Sequence, residues 1–180
     1  MMAAVLIGSA ATVSPSTVLG SACAGARTAV AATSRVALQH AVVCVVNQQR
    51  RHHGLVALRE DGRLDRSAQG WTNTMVAHHV FSHGTNFARR LSSVGFRWSS
   101  AGENIATGFS TPAAVVRAWM ASPGHCENIL NPTYRYVGTG VSARGVGAYS
   151  GGGTWTQDFG LLAGQRPLPG DWGPARGCPY

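Results

Sequence analysis

The chain of 180 residues has no lysine: all 15 of its Lys/Arg positions are arginine, set against only seven acidic residues, for a formal charge of +8. With Ala and Gly used heavily, that bias is read as GC-rich coding and not as a functional signal. The arginines fall in ones and twos (Arg50-Arg51, Arg89-Arg90) without aromatic interleaving. No helix-turn-helix, zinc-finger or ribonucleoprotein signature accompanies them, so no nucleic-acid partner is expected. The basic balance suits anionic surfaces such as cell-wall polymers or lipid head groups. A Gly-x-Ser-x-Gly elbow is also lacking, so Ser122, next to Pro123, reads as part of a helix end and not as a hydrolytic nucleophile. No glycine-rich loop leads into a lysine or a helix start, which argues against a phosphate cradle. Beyond the N-terminal segment no run of about 18 strongly apolar residues occurs, so no transmembrane segment is expected.

Charge is absent altogether from residues 1–26, where apolar residues give way to Ala22-Cys23-Ala24 and Ala24-Gly25-Ala26 before Arg27. This reads as a secretory signal with an Ala-x-Ala cleavage site. The expected organisation is a signal peptide and leader over 1–32, one domain over 33–163 and a Pro/Gly-rich tail over 164–180. Lipidation of Cys23 is not expected, because Gly20 stands where a lipobox wants leucine. Cleavage would leave Cys44, Cys126 and Cys178, enough for one disulfide and one spare thiol. Export favours such a bond. Cys44–Cys126 is the expected pair, since both lie in segments that read as ordered; Cys178, in the tail, could displace either.

Hydrophobic periodicity then sets the elements. Val36, Leu38, Val42, Val45 and Val46 predict a first helix, with Arg50 and Arg51 in its last turn and Gly54 beyond it. Leu64, Ala68, Trp71 and Met75 predict a second from about Asp65 to Phe81, and Phe87, Leu91 and Val94 a third stopped at Gly95. Thr111-Pro112 is the clearest helix start, and Pro123-Gly124 reads as the break that ends that helix. Period-two patterns follow at 137–143 and 154–161, joined by a flexible loop at Gly151-Gly152-Gly153. Helices before a terminal hairpin give the α+β class.

Polar groups recur at element ends, where loops on a rigid scaffold usually carry function. His79 and His83, four apart on the expected second helix, would face one metal, but the glutamate of the zinc-protease pattern is missing between them. Glu103, one of only three glutamates, lies in the glycine-rich Gly102-Glu103-Asn104-Ile105 segment, which reads as a tight turn fixed by Asn104. A buried carboxylate there needs a partner: a histidine, a metal, backbone amides or Arg97. His125 follows a helix break, and Gln157 lies beside Trp155 in a strand. Trp71, Trp119 and Trp155 read as core anchors.

Together these residues resemble the CAP superfamily (cysteine-rich secretory proteins, antigen 5 and pathogenesis-related proteins), and its bacterial secreted SCP-domain branch in particular. The resemblance runs through Asn47-x-x-Arg50, Phe81-Ser82-His83, Ala101-Gly102-Glu103-Asn104-Ile105, Trp119-Met120-x-Ser122-Pro123-Gly124-His125-x-x-Asn128-Ile129-Leu130 and Trp155-Thr156-Gln157-x-Phe159. It implies an α-β-α sandwich with helices flanking a small antiparallel sheet, a large central groove and a secreted, extracellular location. In the family's eukaryotic branch two histidines and two acidic residues can hold a divalent metal such as Zn²⁺. Here His83 and Glu103 match one of each, whereas Ser122 and Thr154 replace the other two, with His125 as the bacterial substitute. Cys126 stands where that branch commonly has arginine. The implied groove set is His83, Glu103, His125, Ser122, Asn104 and Gln157, with His83, His125 and Glu103 as the metal set. The expected function is a monomeric, non-catalytic binding module for an extracellular lipid, glycan or protein. The alternative is a divalent-metal-dependent, peptidase-like hydrolase with Glu103 as general base beside His83 and His125.

Overall fold

The computed structural model describes residues 23–149, 151–167 and 178. The segment read as a signal, up to residue 22, and most of the tail beyond 167 lie outside these residues. Among the described residues, five helices and four strands follow in the order α1 (Arg35–His52), β1 (Arg59–Glu60), α2 (Gly62–Ala77), α3 (Phe87–Ser93), β2 (Trp98–Phe109), α4 (Pro112–Met120), α5 (Pro123–Ile129), β3 (Tyr136–Ser142) and β4 (Gly153–Leu162). Three helices begin on side-chain caps: Ser34, Asp61 and Thr111 accept from the backbone N–H groups of Ala37, Arg63 and Ala114. Each satisfies one of the orphan donors of a first turn.

The sheet order is β1-β3-β4-β2, with β2 on an outer edge. Because β1 pairs with β3 in parallel, the sheet is mixed and not the purely antiparallel one expected. One face packs against α1, α4 and α5 and the other against α2, giving the α-β-α sandwich. On the first face Leu38, Val42 and Val46 of α1 meet Val116 and Trp119 of α4, Ile129 of α5 and Trp155 and Phe159 of β4. Burying large apolar side chains of this kind stabilises by about 1.5–3 kcal/mol each.

The opposite face is built for close approach. A Cβ on Gly138 would stand 2.2 Å from the Leu64 carbonyl carbon, and one on Gly140 would stand 2.4 Å from that of Ala68, so α2 lies directly on the β3 backbone. From there Asp65 accepts from the Thr139 N–H at 2.9 Å, while Gln69 accepts from the Val141 N–H and donates to its carbonyl. Beyond the two-residue β1, these side chains complete the hydrogen bonding that β3 would otherwise offer to another chain. Arg50 acts similarly on the far side: buried in the last turn of α1, it donates to the carbonyls of Val56, Ile129 and Asn131. Asn47 binds both the N–H and the carbonyl of Leu58.

Several expectations need correction. Helix α2 stops at Ala77, and His79 takes a left-handed φ of 52°, so His79 and His83 do not share a helical face. Pro123 is the first residue of α5 and not a terminator, which puts His125 inside a helix. The segment around Gly102 is no turn but the middle of the 12-residue β2. The β3–β4 connection is pinned, with the Val146 N–H donating to Thr107 Oγ1 at 3.0 Å. The disulfides also differ: Cys44 pairs with Cys23, and Cys126 with Cys178, leaving no Cys44–Cys126 bond. Cys44 and Cys126 belong to different helices, and each meets a cysteine from a chain end. Residues 23–33 are therefore tied to the body, and Val30 and Ala113 N–H groups bind the carbonyls of Ser110 and Ala26.

Candidate functional site

The site forms along the edge strand β2, where side chains alternate between the two faces. Glu103 turns towards the α2 side and is almost fully buried, with 3 % of its side chain exposed. His83, from the α2–α3 connection, places Nδ1 2.8 Å from Glu103 Oε1 and remains 53 % exposed. On the other carboxylate oxygen, Arg90 Nη1 donates to Oε2 at 2.8 Å, and Nη2 donates to the His83 carbonyl at 3.2 Å. The Arg90 guanidinium lies 4.2 Å from the Trp71 ring centroid and 5.3 Å from that of Phe87. Charge-assisted bonds and ring stacking together fix its orientation. Arg90, not Arg97, is thus the cation that answers Glu103. A long side chain on α3, thirteen residues away, left no periodic or motif signal to find it by.

Asp158 lies directly opposite Glu103 in the β2–β4 ladder and is fully buried. Burial first, and then the neighbouring Glu103 charge, push its carboxyl well above the ordinary value, which favours the protonated acid. One guanidinium is paired with one carboxylate, Arg90 with Glu103.

Asn104 and Gln157, also paired across β2 and β4, face the α5 side and are completely buried. Asn104 binds the body of α5: its Nδ2 donates to the His125 carbonyl at 3.2 Å, and its Oδ1 accepts from Asn128 Nδ2 at 2.9 Å. Asn128 also donates to the Glu103 carbonyl. Gly102 leaves space for this clamp, since a Cβ there would stand 2.6 Å from Asn128 Oδ1 and 2.5 Å from Tyr134 Oη. The side chain of Gln157 is fully buried.

His125 is half-buried, its Nδ1 2.8 Å from Ser122 Oγ. Burial, and then the nearby His83, lower its pKa, which keeps the ring neutral near pH 7. Ser122 and Thr154 occupy the positions where the family resemblance expects an acid and a histidine. Thr154 is buried, and its hydroxyl donates to the Arg144 carbonyl. Among the described residues, no group of three or more His, Cys, Asp or Glu side chains is arranged to hold a metal ion. Zinc needs three protein ligands and an open position. With both Glu103 oxygens already engaged, one of them by a fixed cation, the donor set does not fit a divalent metal.

The α-β-α sandwich is the fold of an SCP-domain protein. The chain belongs to the cysteine-rich secretory protein family, CAP, whose pattern its residues 43–159 match. YkwD, an uncharacterised protein of Bacillus subtilis, is 38% identical over 134 residues, covering 72% of this chain and 49% of YkwD. The membrane protein YlbC of the same organism, also uncharacterised, is 31% identical over 107 residues, covering 57% of this chain and 31% of its own length. The chain thus spans half or less of these relatives. Among solved structures, an extracellular SCP-domain protein of Bacillus anthracis superposes with a TM-score of 0.62 at 27% identity, covering 70% of this chain and 41% of that one. An outer surface protein of Borrelia burgdorferi shares the fold at a TM-score of 0.60 and 20% identity, covering 67% and 90% of the two chains.

Proposed function

We propose that the protein is an exported, non-catalytic binding module that holds an apolar or cell-envelope ligand beside His83. The observation that carries this reading is the engagement of Glu103. A general base must reach a water or substrate, yet the Glu103 side chain is only 3% exposed, with one oxygen against His83 and the other against Arg90. In the segment that leads into His83, Phe81 is 48% exposed and Val80 40%, so apolar surface is accessible there. Two disulfides suit an oxidising compartment, and the SCP-domain relative of B. anthracis is described as extracellular. Among the described residues no helix is long and apolar enough to cross a membrane.

Thermal-shift and co-sedimentation screens of the oxidised protein against envelope lipids, glycans and vesicles test the reading. It expects one class to raise Tm and Phe81→Ala to remove that rise. Peptidase activity abolished by Glu103→Gln, with no ligand in any class, would overturn it.

A further inference from the structure

The disagreement between the donor set and a divalent metal has a physical source on α3. We infer that Arg90 is the resident cation of this site, occupying the charge role that a metal would otherwise fill, and that it closes Glu103 to divalent ions. Four constraints hold the guanidinium: Glu103 Oε2, the His83 carbonyl, and the rings of Trp71 and Phe87. Its side chain is only 11% exposed, so the charge is not screened away by water. A metal bound to Glu103 would have to share one carboxylate with that guanidinium at close range, and like charges at such a distance repel. Displacing Arg90 instead would strip it of its carboxylate within a largely buried setting. The site is electrically complete without an ion. The inference does not depend on which ligand the exposed surface takes.

Zinc titration by calorimetry, on the complete disulfide-bonded protein freed of metal by chelation, tests it with ZnCl₂ itself as the probe. Wild type is expected to show no stoichiometric uptake that Glu103→Gln removes. Arg90→Met keeps the apolar contact with Trp71 but removes the charge. Through His83 and Glu103 alone, still short of the three ligands of a built zinc site, it should bind Zn²⁺ weakly but at least about tenfold more tightly than wild type, a gain abolished in Arg90→Met/Glu103→Gln. Arg90→Lys, which keeps the charge, should behave as wild type. Two results would overturn the inference: one equivalent of zinc on wild type lost with Glu103→Gln, or no gain in folded Arg90→Met. If Arg90→Met does not fold, two comparisons still decide it: wild type with Glu103→Gln, and wild type with Arg90→Lys. Zinc uptake that appears in Arg90→Lys counts against it.

Discussion

Removing the disulfides one at a time gives the most quantitative check on the fold. Cys23–Cys44 closes a separation of 21 residues and Cys126–Cys178 one of 52. In the chain-entropy account these loops stabilise by about 3 and about 4 kcal/mol, the longer one more because it removes more freedom from the unfolded chain. Against a typical total of about 5–15 kcal/mol, losing both leaves the domain near its unfolding threshold. Guanidinium denaturation of Cys23→Ser/Cys44→Ser and Cys126→Ser/Cys178→Ser, compared with the oxidised parent, measures each term. The second pair should lose at least as much as the first. Peptide mapping that finds Cys44 joined to Cys126, or losses below about 1 kcal/mol for both pairs, would refute the reasoning. The Cys23–Cys44 bond bears on export, because cleavage after Ala24 or Ala26 would discard Cys23. The intact mass of exported protein is expected to retain Cys23, and a mature chain starting at Gly25 or Arg27 would contradict the pairing.

Other perturbations reach the site directly. Gly102→Ala drives a methyl group against Asn128 and Tyr134. It should cost about 1–3 kcal/mol, read as a lower midpoint in urea, and an unchanged midpoint would count against the β2–α5 clamp. Asp158 has a folded pKa raised above its ordinary value of 3.8. Between those values the folded state keeps a proton that the unfolded chain has released, so this residue's contribution to stability falls as pH rises above about 4. Asp158→Asn cannot ionise, so its stability relative to wild type should be more favourable at pH 8 than at pH 4. A difference independent of pH would argue that Asp158 is ionised in the fold. Glu103→Ala strands Arg90 without its carboxylate and should cost about 3 kcal/mol in a denaturant titration, whereas a loss below 1 kcal/mol would mean that the pair is effectively solvated.

The helical layer was legible in the sequence because its signals are local. The apolar stripe of α1, and Thr111-Pro112 before α4, sit where the structure has them. Pro123 misled because proline ends one helix and starts another with equal ease, and only packing against β2 decides between them. Strand β2 was hidden by its own composition. Gly102 is small to admit Asn128, and Glu103 is charged because Arg90 answers it, so neither resembles a strand residue when read alone. His83, Glu103 and His125 could be named from motifs. Arg90, Asn128 and Asp158 could not, since each acts through a contact made only when distant elements pack. The disulfide connectivity likewise belongs to the fold and not to the spacing.

Arg90 and Glu103 form one coupled, largely buried ion pair next to His83. A double-mutant cycle with Arg90→Met, Glu103→Gln and the combined variant measures that coupling through unfolding free energies. The structure predicts a coupling energy of about 1.5–3 kcal/mol. Additive single effects, with a coupling energy within about 0.3 kcal/mol of zero, would contradict it.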